Sequence, residues 1–375
     1  MLVAQWVTVG LGVLAALLTA LSLFPGSHWM VRLWDFPRLQ IAALASLSGA
    51  VYAAAFFRGG ALEWAFLATA AATALWQARK IFPYTPLART QVQRSTVGSA
   101  KGRSLETRRH PSFRLLITNV QMENTEHERL LRVIEEAAPD VVLAVETDAV
   151  WARALGPLAP SYPHVVRQPQ ENWYGMMLFS RLPLLEARCE FLVQDDIPSV
   201  HAVLELPGGV HVFLHGIHPR PPEPIRDQDS TPRDAELVVV GNAIGDAADR
   251  PTVVAGDLND VAWSPTSELF IRLSGLLDPR RGRGFYNSYN AKNPVFRYPL
   301  DHVFHSNHFR LVELRRLPRI GSDHYPMLIE LSYEPDAEAA QPEPEEEAGD
   351  GERAEDRLEA QAEAAATGDD RPGRE

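Results

Sequence analysis

Cysteine occurs once in 375 residues, at Cys189, so no disulfide can close within the chain and a metal site has to be built from oxygen and nitrogen donors. Charge is absent from Val3 to Phe24 (VAQWVTVGLGVLAALLTALSLF). Aromatic side chains are absent after Tyr333, and no internal repeat divides the chain. A surplus of either charge is absent from everything before the last 42 residues. Glu334–Glu375 holds 16 Asp/Glu against 4 Arg, which leaves 48 − 16 = 32 acids and 36 − 4 = 32 bases for the remainder. The acidity of the chain therefore belongs to its tail and says nothing about the partners of the folded part. Without apolar surface to bury, residues 334–375 are expected to be a disordered acidic tail.

An uncharged run of about 20 apolar residues has the length of a membrane-spanning helix. No basic segment precedes Val3, as one would before a cleaved signal, and two further apolar runs follow. Residues 1–80 are accordingly expected to form a transmembrane helical anchor with spans at about 3–24, 41–57 and 62–78, its partner being the lipid bilayer. Arg32 and Arg38 flank the first span, and Arg79, Lys80, Arg89 and Arg94 follow the third. With three spans both sets lie on one side, which places the downstream domain in the cytoplasm, on an inner or plasma membrane. If the third run does not cross, the two sets oppose each other and the rule is silent. Residues 81–112, with six Lys/Arg and one acid among Pro, Ser, Thr and Gly, read as a flexible basic linker. Its charges suit anionic headgroups or serve only to stop transfer.

From 113 to 333 apolar runs alternate with turn signals. Leu115–Val120 reads as a buried strand and Thr125 with Glu128 as a capping box. Leu130, Ile134 and Ala138 then share a helical face, Pro139 ends that helix, and Asp140–Glu146 is a second strand, giving a parallel pair. Ser199–Leu206 and Val210–Ile217 flank Pro207-Gly208-Gly209 as an antiparallel hairpin. A helix over about Arg233–Ala247, a strand over Thr252–Ala255 and a helix start at Ser264-Pro265 complete the pattern. The expected fold class is α/β (α+β), a four-layer sandwich of two packed mixed β-sheets flanked by helices.

Polar residues cluster at the ends of these apolar runs: Asn119, Glu146 in AVETD, His218 in HGIHPRPP, Asp257 and Asn259 in AGDLND, Asp301 in PLDHVF, and Asp323-His324 in GSDHYP. Alone, each has an ordinary structural reading, such as a turn-capping Asn or a satisfied core His. In this order, with GDLN followed by a late SDH, the series over 113–333 resembles the endonuclease/exonuclease/phosphatase superfamily. That group includes abasic-site endonucleases, deoxyribonuclease-I-like nucleases, inositol-polyphosphate phosphatases and neutral sphingomyelinases.

The resemblance implies Glu146 as a ligand of Mg²⁺, with Mn²⁺ as the alternative, since such cations take carboxylate oxygens and neutralise phosphoryl charge. It further implies that Asn119 helps position the metal and that Asp323 supplies a second contact. Asp301 and His324 would form a carboxylate–imidazole pair, Asp257 would orient or deprotonate the water, and Asn259 would donate to a phosphate oxygen. His218 would touch the phosphate or protonate the leaving group. Many members carry an acid two residues after the first Asn, where this chain has Gln121, so a one-metal site is expected. Arg280, Arg281 and Arg283 form a compact basic loop suited to substrate phosphate, against the plain reading of a solvated turn. For Trp151, Trp173 and Trp263 core packing is favoured. The expected function is a membrane-anchored, divalent-metal-dependent phosphoesterase, nuclease-like or lipid-phosphodiesterase-like, set against a non-catalytic membrane scaffold that retains the fold.

Overall fold

The charge-free N-terminal run forms helix α1 (Leu2–Leu21) in a computed structural model that describes residues 1–95, 110–222 and 229–368. Helices α2 (Trp29–Arg32), α3 (Arg38–Ala55) and α4 (Ala61–Ile81) follow, and α1, α3 and α4 pack together around Ala15, Ile41 and Ala45. Of the three expected spans, α1 is the one helix among the described residues long and apolar enough to cross a bilayer, by length and composition. Gln40, Ser46 and Ser48 dilute α3, as Glu63, Gln77, Arg79 and Lys80 dilute α4. A buried polar chain runs through this bundle. Gln77 Nε2 donates to Thr19 Oγ1 (2.7 Å), Arg38 Nη1 to Gln77 Oε1 (3.1 Å), and Arg38 Nη2 to Asp35 Oδ1 (2.5 Å).

The bundle is bolted to the rest of the molecule rather than tethered to it. Trp263 Nε1 donates to the Asp35 carbonyl (2.7 Å), Ser230 N to the Ser27 carbonyl (2.9 Å), and Lys80 Nζ pairs with Glu268 Oε2 (2.8 Å). The expected flexible linker over 81–112 is corrected in its described part. Tyr84 and Val92 are buried, and Tyr84 Oη donates to the Ala262 carbonyl at 2.6 Å. Composition hid this, because two apolar side chains among many polar ones suffice to dock a short segment. Residues 96–109, with Lys101, Arg103, Arg108 and Arg109, lie outside the described residues.

The expected strand–helix–strand opening is β1 (Ser112–Asn119), α5 (His127–Ala137) and β2 (Val141–Val145), with β1 and β2 parallel. The capping box is not formed: α5 begins after Glu126 without a side-chain cap, and Ala138, at φ +47°, turns the chain out before Pro139. After α6 (Ala149–Ala154), β3 (His164–Gln168) and β4 (Met176–Ser180) extend this sheet. A second sheet takes β5 (Leu184–Glu190), β6 (Ser199–Leu206) and β7 (Val210–Gly216), then α7 (Thr231–Gly245), β8 (Thr252–Asp257), α8 (Pro265–Ser274) and β9 (Asp301–His305). In the β6–β7 hairpin Leu206 pairs with Val210, and Gly208 and Gly209 take the left-handed φ values (+88° and +78°) that such a turn demands. Ser264 caps α8 as expected, its side chain accepting from Ser267 N. The chain returns through β10 (Phe309–Arg316) and β11 (Met327–Tyr333).

The strand orders are β10-β11-β1-β2-β4-β3 and β5-β6-β7-β8-β9, both mixed. Leu115, Ile117, Leu143 and Val145 of the first sheet face Leu204, Leu214, Val253 and Ala255 of the second across one core. Leu116, Val142 and Phe179 face outward under α5, and Val254 and Phe304 under α7 and α8. This is the expected four-layer sandwich, and it turns the ends of β1, β2, β8 and β9 toward one another.

The tail departs from expectation. Beyond the short α9 (Ala337–Ala340), helix α10 (Asp350–Thr367) lies on α7 and α8, Ala354 and Leu358 packing against Val238, Leu269 and Leu273. Ala and Leu at that spacing give one narrow apolar stripe, invisible to a composition argument. Arg272 grips Asp350 with two hydrogen bonds of 2.6 and 2.9 Å and holds its carboxyl down to about 2. A depressed carboxyl stabilises the folded form above its usual titration range, and that contribution is lost as pH falls through the folded value. The protection factors of the α10 amides against hydrogen exchange should therefore stay high above about pH 4 and fall as the pH drops toward 2. In Arg272→Ala that acid sensitivity should shrink.

Candidate active site

Two left-handed backbone positions aim the acids. Glu146 follows β2 at φ +61°, and Asn259 sits at φ +51° two residues beyond Asp257. At Gly256, φ +148°, a Cβ would lie 1.9 Å from the Ile217 carbonyl oxygen, so the end of β8 presses on the segment after β7 only because that residue is glycine. Asp257 and His218 are thereby brought to the same point.

Asp257 Oδ2 is the hub. Asn119 Nδ2 donates to it at 3.0 Å, His324 Nε2 lies 3.5 Å away, and His218 Nε2 lies 4.0 Å away. Asn119 Nδ2 also donates to Glu146 Oε1 at 2.6 Å, so one amide holds both carboxylates. His324 Nδ1 meets Asp301 Oδ2 at 2.7 Å, forming the expected carboxylate–imidazole pair. Ligand atoms of Glu146, His218 and Asp257 all lie within 4.8 Å of one another, as do those of Asp257, Asp301 and His324.

Burial sets the charges. It pushes the Glu146 carboxyl up to about 7, against the Asn119 hydrogen bond, and raises Asp257 in the same direction. It pushes His218 down to about 4, so that imidazole is neutral. Burial acts on His324 in the same sense, yet Asp301 and Asp257 outweigh it and hold the ring charged, with a pKa of about 10. One imidazolium thus faces several acids in a site short of positive charge.

Several expected roles shift. The Asn119 side-chain oxygen accepts from Gln121 N (2.9 Å) and its nitrogen donates to both carboxylates, so it holds the two acids together. The Asn259 amide donates to the Pro219 carbonyl (2.9 Å). Asp323 lines the cavity, and its backbone NH donates to Gln121 Oε1 at 3.1 Å. The three arginines do not join the cluster. Arg280 is buried against Asp278 (2.8 Å) and His302 (2.8 Å), Arg281 lies near the Tyr84 ring, and Arg283 donates to the Pro279 and Val92 carbonyls. These guanidiniums found partners within the fold, which a loop-level reading could not foresee.

Sequence reading missed three contributors. Tyr289 lies 4.9 Å from the His324 ring, and Ser322 Oγ donates to the Asn119 carbonyl while accepting from His324 N. The third is the segment between α1 and α3: Trp29, Leu33, Trp34, Phe36 and Pro37 form one wall of the cavity that holds Glu146, Asp257, Asn259, Asp323 and His324. Of the tryptophans, Trp151 and Trp263 are buried, whereas Trp173 is partly exposed, its Nε1 donating to Glu123.

A buried carboxylate–imidazole pair thus faces a cluster of acids between the two sheets. The family model described as Endonuclease/Exonuclease/phosphatase family matches residues 117–324, more than half of the chain, and the chain belongs to that family. It is a hydrolase acting on phosphate ester bonds. Among solved structures, D. rerio TDP2 complexed with single strand DNA product is 18% identical, with a TM-score of 0.50 over 59% of this chain and 99% of that one. The endonuclease/exonuclease/phosphatase from Beutenbergia cavernae DSM 12333 is 20% identical (TM-score 0.48, 60% and 72% covered). Sphingomyelinase C from Streptomyces griseocarneus is 19% identical (TM-score 0.43, 59% and 99% covered). At such identities the likeness concerns the fold alone. No curated protein matches the chain.

Proposed function

We propose that the chain is a divalent-cation-dependent phosphoesterase held at a membrane by α1. The observation that carries this reading is the convergence on Asp257 Oδ2 of Asn119, His218 and His324 from three separate strand ends. A cation fits the donor set. Glu146 and Asp257 are acids clipped side by side and raised by burial, and His218 Nδ1 is buried without a hydrogen-bond partner. Glu146 and Asp257, with His218 or Asp323 beside them, would hold Mg²⁺ or Mn²⁺, which supplies charge neutralisation at the phosphoryl oxygens.

The chain's own residues supply the rest. Asp257 accepts a hydrogen bond from the attacking water and takes its proton. The water oxygen bonds to phosphorus as the ester P–O bond breaks, and the leaving oxygen takes its proton from solvent water while Asp257 later returns its own to solvent. His324, kept charged by Asp301, donates to a phosphoryl oxygen. His218, being neutral, serves as a hydrogen-bonding contact rather than as the acid that protonates the leaving group. Asn259 holds the Pro219 turn and so keeps His218 in place.

The full chain in detergent, given bis-p-nitrophenyl phosphate, should release nitrophenol with Mg²⁺ or Mn²⁺ and fall to the uncatalysed rate in EDTA. Equal rates with and without chelator would defeat the metal-dependent reading. α1 should partition the full chain into membranes, and a chain lacking residues 1–24 that still sediments with vesicles would show that α1 is not the anchor.

A further inference from the structure

We propose that the segment Trp29–Pro37 is the substrate-selecting wall of the active site and that the substrate is a membrane lipid, its phosphoester at the acids and its hydrocarbon tail on that wall. This deepens the hydrolytic reading above and rests on it.

The cavity, about 510 Å³, is lined by two chemically distinct sets of side chains. One set is Glu146, Asp257, Asn259, Asp323 and His324. The other is Trp29, Leu33, Trp34 and Phe36 from the N-terminal segment, with Phe296 and Leu300 of the catalytic layers. A molecule that satisfies both sets must be amphipathic. Among the described residues no Lys or Arg lines the cavity, whereas binding of a nucleic-acid strand draws its free energy largely from basic contacts to successive phosphates.

Two of the large apolar side chains that line the cavity are exposed, Leu33 of the wall at 43% and Phe296 at 52%. The exposed apolar surface continues along the chain into α1, through Met30, Phe24, Leu23, Leu21 and Leu17. The helix suited to a bilayer and the apolar rim of the cavity are thus joined by eleven residues of sequence, Ser22–Arg32. A tail entering from the bilayer reaches the wall without crossing water, so its transfer costs little. The wall is fixed in place: Asp35 is gripped by Arg38 and Arg32 and its carbonyl accepts from Trp263, while Phe36 packs edge-on against Tyr298 at 5.5 Å.

The test is a chain-length series with the full protein in detergent: p-nitrophenyl phosphodiesters bearing ethyl, butyl, hexyl or octyl groups, each below its micellar concentration, with Mg²⁺. Each fully buried CH₂ is worth about a fourfold gain in binding, so with partial burial kcat/KM should rise at least about thirtyfold from ethyl to octyl. The double variant Leu33→Ser/Phe296→Ser removes two exposed side chains, so folding is spared. Its octyl-to-ethyl ratio should drop below about threefold, the scale of a single partly buried methylene. The ratio is the readout, which removes any general loss of rate. A flat series in the unaltered protein overturns the inference, as does an unchanged ratio in the double variant or a single-stranded oligodeoxynucleotide hydrolysed with higher kcat/KM than the octyl ester. Absence of metal-dependent turnover on the ethyl ester would instead remove the hydrolytic reading beneath it, and the inference with it.

Discussion

Asp257→Asn should lower kcat on bis-p-nitrophenyl phosphate by about 10²- to 10⁴-fold, the range a positioned proton acceptor contributes, with the circular-dichroism melt unchanged in shape. The substitution keeps the size of the side chain and the oxygen that accepts from Asn259 N at 3.0 Å. It removes the negative charge at the point where Asn119, His218 and His324 meet. Two consequences are expected together. An amide cannot take the water's proton, and His324 keeps only Asp301 as a close carboxylate partner, at 2.7 Å. His324→Ala should cost a comparable factor. If both residues serve one step, the double variant should be little worse than either single one. Losses that multiply would separate the two residues into independent tasks. Rates near those of the unaltered protein in Asp257→Asn would show that the hub lies outside the chemistry.

The catalytic layers were legible because local and global signals agree there. Leu115 and Ile117 alternate with Leu116, and the structure sends the first two to the core between the sheets and the third under α5. Gly208-Gly209 and Ser264-Pro265 announce a turn and a helix start, and both form. The site residues were legible for a different reason. Alone, each has an ordinary structural reading; their order, with GDLN before a late SDH, is what sets them apart, and the structure brings Glu146, Asp257, Asp301 and His324 together.

What the sequence concealed is pairing across distance. Arg280 looks like a free cation until Asp278 and His302 are found around it. Asn119 gives no sign in the sequence that its one amide nitrogen holds both Glu146 and Asp257. The tail's composition forbids a core of its own but not a seat on α7 and α8. Most consequentially, Trp29–Pro37 reads as a loop between apolar helices, and nothing within it points to a catalytic cavity whose acids lie more than a hundred residues away.

Arg38→Ala should be the most destabilising single change in the N-terminal bundle, by about 3–5 kcal/mol, the cost of removing one partner from a buried ion pair. Arg38 is 1% exposed and its guanidinium links Gln77 of α4 to Asp35, which is also 1% exposed. Without it, Asp35 keeps only Arg32, at 3.1 Å, as an ion-pair partner. Burial already pushes the Asp35 carboxyl up to about 6, even against both arginines. A carboxyl raised on folding costs stability as pH rises through its folded value, because the folded form must then carry the buried charge. Losing Arg38 raises it further. The deficit of Arg38→Ala should therefore be largest at pH 8 and shrink toward pH 5, where the stranded carboxyl takes a proton, and Asp35→Asn in the same background should recover much of it. Melting curves of the full chain in detergent at the two pH values decide this. A deficit independent of pH would mean that the loss comes from packing and the Gln77 bond alone. Because Asp35 sits within the segment that walls the cavity, the same variant should also depress the octyl-to-ethyl ratio more strongly at pH 8 than at pH 5. That ties the charge state of one buried carboxyl to the shape of the substrate site.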